Sequence, residues 1–199
     1  MPLHKIIHIN ENTTAYFWHI TEDVTSLFRA VSLRDTSLFR LEGMKSEEHQ
    51  KGFLAVRMLL QHLGYTDYDL TYDEAGKPHL SDGKHISISH SHEFSCICIS
   101  NKLMGIDLEK LKEKTLKIAP RFMEVKHLEN LSTSEQIEKA TVIWGVKESI
   151  FKIKNEKGIS FPEHIFEAEF DLKEGKCEAE LHFNNQIENF QIQFYNVEA

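Results

Sequence analysis

Two carboxylates near the middle of the chain have the spacing expected of a metal site. Asp107 and Glu109 alternate with the apolar residues Ile106 and Leu108. Residues two apart on a strand share a face, so a strand over 103–109 directs both carboxylates to one side of a sheet. Oxygen ligands of this kind suit Mg²⁺. A solvated outer face of a strand is the alternative that this pair alone leaves open.

A second group of polar side chains lies on a helix that the pattern predicts over about 134–154. Glu148 and Lys152 are one helical turn apart, and Trp144 lies one turn before Glu148, so all three share a face. Glu148 is therefore a candidate third metal ligand and Lys152 a candidate phosphate-binding cation. The same spacing is also typical of an ordinary surface ion pair.

Two shorter motifs carry groups that can bind an anion. Ser87–His92 reads Ser-Ile-Ser-His-Ser-His, and hydroxyl and imidazole groups at a strand end can hydrogen-bond an anion. The pair His90 and His92 would also suit zinc, although no cysteine lies in register with it. The turn Gly76-Lys77-Pro78 adds a cation, which in isolation is typical of any solvated turn.

The elements that must position these groups are short strands and two long helices. The first helix is predicted over 46–64, where Ser46 is a suitable N-cap and Gly64 a suitable stop. Its apolar residues form the stripe of a buried helix. Strands are predicted over 6–9, 15–20, 69–72, 85–89, 93–100 and 103–109, short helices over about 23–28 and 115–122, and an antiparallel meander over 164–172, 177–183 and 187–195.

This order of elements is typical of an α+β chain. Each half contains a long helix and a few strands, so two similar lobes that meet near residue 102 are expected. The 199 residues suit one domain or two small lobes. A hydrophobic content of 41%, with nine glycines and four prolines, excludes a disordered or collagen-like chain.

The charge and hydropathy of the chain limit the classes of partner that it can bind. The net charge of −8 disfavours a general nucleic-acid binder. Residues 110–126 nevertheless carry six Lys or Arg against two Glu, which suits an anionic partner or substrate. No apolar run reaches the roughly 20 residues that cross a bilayer, and no secretion signal is evident. We therefore expect a cytoplasmic protein that binds neither nucleic acid nor membrane.

The three cysteines predict no disulfide framework. Cys96, Cys98 and Cys177 are an odd and sparse set. Cys96 and Cys98 alternate with isoleucines, as residues of a buried strand do. We expect all three to act as small buried hydrophobic residues.

The order of the motifs resembles the 4′-phosphopantetheinyl transferase superfamily. The resemblance runs from about Lys51 to Pro162, and the chain length is similar to that of its larger, pseudo-dimeric branch, the type that activates surfactin-synthetase-like systems. The motifs that carry it are G-K-P, I-S-I-S-H-S, G-I-D-L-E-K, W-x-x-K-E-S-x-x-K and K-G-I-S-F-P. It implies two lobes related by a pseudo-twofold, each a small antiparallel or mixed sheet packed on a long helix.

The resemblance also implies roles for single residues. Asp107, Glu109 and Glu148 match the magnesium ligands of the family, and Lys152 matches a lysine that contacts the pyrophosphate near the reacting phosphorus. A C-terminal lobe, 103–199, would then carry the metal and the catalytic helix. Glu148 is in addition the candidate base for the serine proton, a role that competes with metal ligation.

An N-terminal lobe, 1–102, would hold the nucleotide end of coenzyme A. Lys77, Ser89 and His90 match the residues around the 3′-phosphate. Lys51 and Arg57 are both candidates for a phosphate-binding basic residue of the first long helix. His127 stands where the family often has an acid, which leaves the role of that position open.

The implied reaction transfers 4′-phosphopantetheine from coenzyme A to a serine of an apo carrier protein and releases 3′,5′-ADP. Mg²⁺ is the implied cofactor, coenzyme A the co-substrate and an apo acyl or peptidyl carrier protein the partner of a monomeric enzyme. Two alternatives use the same residues, a Mg²⁺-dependent phosphodiesterase and a non-catalytic module that binds coenzyme A or a carrier protein.

Overall fold

The chain folds into two compact units of mixed α and β structure. A computed structural model describes residues 3–197. The units are Met1–Leu108 and Glu109–Ala199, whereas the predicted boundary followed residue 102. All the sheets are antiparallel, which confirms the α+β class. No helix in the described range is long and apolar enough to cross a membrane.

The first unit contains six strands and three helices. They are β1 (Leu3–Asn10), β2 (Thr13–His19), α1 (Val24–Ala30), α2 (Asp35–Glu42), α3 (Glu47–His62), β3 (Leu70–Tyr72), β4 (Pro78–Leu80), β5 (His85–Ser91) and β6 (Phe94–Ser100). Four of the strands form a sheet with the order β1-β2-β6-β5, and β3 and β4 form a separate hairpin. The main helix, α3, packs on the four-stranded sheet.

Local sequence explains where α3 begins and which face it buries. The hydroxyl of Ser46 accepts the backbone N–H of His49, which caps the helix start. Leu54, Leu59 and Leu60 have no exposed surface. Burying side chains of this size contributes about 1.5–3 kcal/mol each. Leu59 and Leu60 pack with residues of the sheet and Leu54 with residues of α1 and α2, so the apolar stripe is buried as predicted.

The strands of the first unit agree with the sequence prediction except at two places, of which the first is the short strand β4, which was not predicted. Cys96 and Cys98 are free and buried in β6, and Cys177 is free and buried in the second unit, which confirms their prediction. The predicted strand over 103–109 is wrong, because that segment makes no backbone ladder. Its backbone is held instead by side chains of β5.

The second unit joins one long helix to the predicted meander. Its sheet has the order β7-β8-β9. The elements are α4 (Glu113–Ile118), 3₁₀ turns at Ala119–Arg121, Val125–Leu128 and Leu172–Glu174, α5 (Thr133–Lys154), α6 (Phe161–His164), β7 (Ile165–Glu167), β8 (Lys176–Phe183) and β9 (Gln186–Gln193).

Helix α5 is bounded by strong local signals. A capping box joins Ser132 and Glu135 at its start, and Asn155 ends it in the left-handed conformation, with φ of 50°. Ile143, Val146 and Ile150 lie in the core of the unit together with residues of β7 and β8. These three residues form an inner face that fixes the orientation of α5 in the unit. Residues between these positions lie on other faces of the helix.

Candidate functional site

In the first unit, a serine of β5 contacts one of the two central carboxylates. The hydroxyl of Ser89 donates to Oδ1 of Asp107 at 3.0 Å and accepts the backbone N–H of Leu108 at 3.2 Å. The hydroxyl of Ser87 accepts the N–H of Ile106 at 3.0 Å. Two serines two residues apart thus hold an extended segment beside β5. Ser89 also fixes the direction of the Asp107 carboxylate.

This contact adds to the role predicted for Ser89. The sequence assigned Ser89 to the nucleotide end of coenzyme A, and the structure shows in addition that it orients Asp107. Its side chain is buried together with that of Ser87. The alternation of serine and isoleucine in β5 is the signal that could have revealed the contact, because it turns two hydroxyls to one face.

The ring of His90 lies exposed at the end of β5 and packs on helix α3 beneath it. A Cβ atom added to Gly52 would lie 2.9 Å from Cδ2 of His90. The ring also meets that of His49 edge-on, with 5.9 Å between the centroids. One edge of the imidazole therefore rests on the helix, while the residue as a whole remains exposed.

The structure discriminates between the two basic residues of α3. Arg57 is 3% exposed, and its Nε donates to Oδ1 of Asp67 at 3.0 Å. Its guanidinium also lies 3.5 Å from the ring centroid of Phe53. These contacts enclose the guanidinium, so Arg57 is an internal partner of Asp67 and is not accessible to a bound phosphate.

Lys51 is the accessible candidate. Its side chain is 30% exposed, and Nζ lies 3.0 Å from a carboxylate oxygen of Glu47 one turn earlier. A surface pair of this kind contributes about 0–1 kcal/mol, so it yields readily to a stronger anionic ligand. The geometry favours Lys51 over Arg57 for phosphate binding.

Lys77 lies in a turn that an aspartate organises. The carboxylate of Asp73 accepts the backbone N–H groups of Ala75 and Lys77 at 3.0 and 2.8 Å. These bonds, that from Lys77 above all, lower the pKa of the Asp73 carboxyl. Gly76 adopts φ of +82°, a conformation that glycine allows without steric cost. The motif Gly-Lys-Pro is therefore a rigid turn that presents a half-buried lysine.

In the second unit, a tryptophan joins Glu109 to the long helix. Nε1 of Trp144 donates to Oε1 of Glu109 at 3.2 Å. The indole packs edge-on between Phe122 and Phe161, with centroid distances of 5.0 and 5.4 Å. Two phenylalanines therefore hold the indole, and the indole in turn holds Glu109.

Glu148 and Lys152 follow Trp144 on the same face of α5. Both are half-buried, and the spacing of four residues stacks them above one another along the helix. Glu109 is bound to the first residue of this row. The second unit thus brings one of the two central carboxylates to the face of α5 that carries Glu148 and Lys152.

Lys147, the residue directly before Glu148 in the helix motif, has a different environment, which was not predicted from the sequence. The amino group of Lys147 is 2.8 Å from Oε2 of Glu167 and donates to the carbonyl of Ile165. Both side chains of the ion pair are almost fully buried. Burial lowers the pKa of the Lys147 amino group, and the charge of Glu167 opposes that shift. No local signal pointed to Glu167 as the partner.

The same carboxylate explains the surroundings of His127, whose role the sequence left open. Nε2 of His127 is 3.8 Å from Oε1 of Glu167. Glu167 thus lies between a histidine of a 3₁₀ turn and a lysine of α5. This cluster links three elements of the second unit.

Two of the candidate metal ligands, Asp107 and Glu109, are carboxylates that receive a hydrogen bond from a neutral group. A hydroxyl donates to Asp107 and an indole N–H to Glu109, and neither donor adds charge. Orienting hydrogen bonds of this type are typical of the residues around metal ligands. Among the residues described here, no three His, Cys, Asp or Glu side chains form a ready-made metal cluster. The candidate ligands offer only oxygen atoms, and oxygen atoms are the donors that Mg²⁺ prefers.

The family model and the relatives that match this chain carry the same family name. Residues 103–196 match the family model described as the 4′-phosphopantetheinyl transferase superfamily. The chain is 33% identical over 121 residues to the 4′-phosphopantetheinyl transferase gsp of Aneurinibacillus migulanus, covering 58% of this chain and 51% of that protein. It is 29% identical over 147 residues to the 4′-phosphopantetheinyl transferase Sfp of Bacillus subtilis (strain 168), covering 69% and 65%. The match therefore spans between half and two thirds of these relatives.

Proposed function

We propose that this chain, whose residues 103–196 match the model of the 4′-phosphopantetheinyl transferase superfamily, transfers phosphopantetheine from coenzyme A to an apo carrier protein. A serine hydroxyl of the carrier attacks the β-phosphorus of coenzyme A. The bond from that phosphorus to the bridging oxygen breaks, and 3′,5′-ADP leaves. The relatives named above carry this activity in their names, which supports the proposal.

The contact between Trp144 and Glu109 is the observation that supports the proposal most. It joins Glu109 to the face of α5 with Glu148 and Lys152. An ordinary surface ion pair between Glu148 and Lys152 would not need a second acidic residue tied to the same face. Two carboxylates and a lysine in one row suit a substrate that carries phosphates.

Phosphoryl transfer needs positioning and charge neutralisation more than covalent help from the protein. Asp107, Glu109 and Glu148 are the residues that would hold Mg²⁺, which when bound neutralises charge on the pyrophosphate. Lys152 supplies a further positive charge from the protein itself.

The serine proton of the carrier needs an acceptor. Glu148 is the candidate, because it lies one turn before Lys152 on the reactive face. Metal ligation would lower its basicity, so the two roles compete. In either role a carboxylate is required at position 148, and its amide analogue should be inactive.

The nucleotide end of coenzyme A is assigned to residues of the first unit. Lys51, Lys77 and His90 each offer a donor suited to phosphate, and Lys51 is preferred to Arg57 because of its exposure. Interactions far from the reacting phosphorus are made equally in the ground and transition states. They should therefore set the KM for coenzyme A more than kcat.

The protein partner in this proposal is an apo acyl or peptidyl carrier protein. The basic segment 110–126 of the second unit suits an anionic partner. The enzyme is proposed to act as a monomer in the cytoplasm.

One assay tests the proposal against its alternatives. The protein is incubated with Mg²⁺, coenzyme A and an apo carrier protein, and the carrier is weighed by mass spectrometry. A mass gain of one phosphopantetheine group is expected. Hydrolysis of coenzyme A without a gain would instead favour a phosphodiesterase, and binding without either product a non-catalytic module. Glu148→Gln, which preserves the side-chain volume, is the matched negative control.

A further inference from the structure

Gly52 is an unusual residue for its position. It lies inside α3 and is buried. Glycine is the least favourable residue for a helix interior apart from proline. Its φ is not in the left-handed region, because it is not among the residues of positive φ. The backbone of α3 therefore does not require glycine, and the reason must lie in what the helix packs against.

The packing partner is the ring of His90. A Cβ atom at Gly52 would lie 2.9 Å from Cδ2, 3.1 Å from Cγ and 3.4 Å from Cβ of that residue. These atoms are the near edge of the imidazole ring and the carbon that attaches it, and a distance under 3.0 Å requires one of the two groups to shift. Any residue larger than glycine must therefore move the imidazole or separate the helix from the strand.

Separation is resisted by a second contact at the same place. The hydroxyl of Ser95 donates to the backbone carbonyl of Gly52 at 3.2 Å, and this bond is buried. Ser95 is the residue of β6 directly opposite His90 in β5. The helix is thus bonded to the sheet at the pair that carries the histidine, so a larger residue at position 52 must displace the ring.

We propose that Gly52 is a positioning residue that seats the His90 imidazole for the 3′-phosphate of coenzyme A. The proposal rests on the function proposed for His90 above. Gly52 itself has no donor other than its backbone N–H. It acts by allowing the helix to support one edge of the ring while the residue stays exposed to a ligand.

The test compares Gly52→Ala with Gly43→Ala. Gly43 ends α2 with φ of −73°, and a Cβ there would meet only ordinary contacts at 3.5 and 3.7 Å. Gly52→Ala should raise the KM for coenzyme A about 10-fold, the loss expected when a charged hydrogen bond is broken. Its KM for dephospho-coenzyme A, which lacks the 3′-phosphate, should change little. Gly43→Ala should leave both values as in the wild type.

A double-mutant cycle shows whether Gly52 acts through His90. In a His90→Ala background, Gly52→Ala should cause no further rise in the KM for coenzyme A. It should also raise the melting temperature in that background, because alanine favours the helix and the overlap is gone. An equal loss of affinity in both backgrounds, or a wild-type KM in the single variant, would overturn the proposal.

The experiments distinguish a failure of the positioning role of Gly52 from a failure of the proposed function. If the wild-type protein transfers no phosphopantetheine, the function is wrong, whatever Gly52 does. The imidazole NMR signals of His90 still report on its seating. They should shift in Gly52→Ala and not in Gly43→Ala. Unshifted signals in Gly52→Ala would refute the positioning role without any reference to activity.

Discussion

Replacement of Arg57 separates a structural role from a ligand role. The side chains of Arg57 and Asp67 are 3% and 1% exposed, with 3.0 Å between Nε and Oδ1. Removing one member of a buried ion pair costs about 3–5 kcal/mol, because the other charge remains in the interior. Asp67 keeps the backbone N–H of Arg34 at 3.0 Å and the guanidinium of the same residue, whose Nε lies 4.0 Å from Oδ2, so we expect the lower end of that range.

The expected result for Arg57→Met is a loss of about 3 kcal/mol of stability, or a melting temperature about 6–12 °C lower. Methionine preserves most of the packing on Phe53, so the loss reports mainly on the charge. Urea denaturation and calorimetry at neutral pH measure it. The KM for coenzyme A, measured well below the melting temperature, should stay near the wild-type value.

Lys51→Met is the matched control on the same helix. Its surface pair with Glu47 contributes about 0–1 kcal/mol, so the melting temperature should hardly change. The KM for coenzyme A should rise roughly 10-fold, the loss of one charged contact. An Arg57→Met protein with wild-type stability and a raised KM would refute the reasoning, since the arginine would then be a ligand.

Three other perturbations test the remaining contacts. Ser89→Ala removes the donor to Asp107 and should raise the Mg²⁺ concentration for half-maximal activity about 10- to 100-fold, as a magnesium titration would measure. Trp144→Phe removes the N–H donated to Glu109 while keeping an aromatic ring, and should lower kcat/KM about 10-fold with little change in melting temperature. Hydrogen bonds from Ser81 and Thr66 lower the pKa of Asp69 from 3.8 to about 2. The charged carboxylate therefore stabilises the fold above pH 4, and this contribution is lost as the pH falls towards 2. The melting temperature of Asp69→Asn should be below that of the wild type near neutral pH, and the gap should close in acid.

Each of these expectations has an outcome that contradicts it. A Ser89→Ala enzyme with an unchanged magnesium titration would show that the serine does not orient a ligand. Full activity of Trp144→Phe would remove the indole N–H from the site. A stability gap for Asp69→Asn that widens in acid would reverse the sign derived from the pKa.

The sequence by itself determined the elements whose signals are local. The apolar stripe and the caps predicted α3 and α5 because helix periodicity and capping depend on residues only a few positions apart. The shared face of Glu148 and Lys152 follows from the same periodicity. The alternating pattern of the last third predicted the meander, since a sheet face repeats every second residue.

Only the tertiary structure decided which distant groups meet. The segment 103–109 is apolar at alternate positions like a strand, yet the hydroxyls of Ser87 and Ser89 bind its backbone. No local pattern in the sequence shows that side-chain hydroxyls, and not a neighbouring strand, bind this backbone. The burial of Arg57 likewise depends on how α3 lies against the loop that carries Asp67. An arginine on a helix has the same sequence signal whether its guanidinium faces water or a carboxylate.

Contacts between residues far apart in the chain could not be predicted from the sequence. Trp144 and Glu109 are 35 residues apart, and Lys147 and Glu167 are 20 apart. Helix spacing shows only that neighbouring positions 147 and 148 face different directions. Which of them enters the core depends on the sheet that packs against the helix. Burial and pairing of charge are properties of that packing, so the sequence supplied the reactive groups and the fold decided their partners.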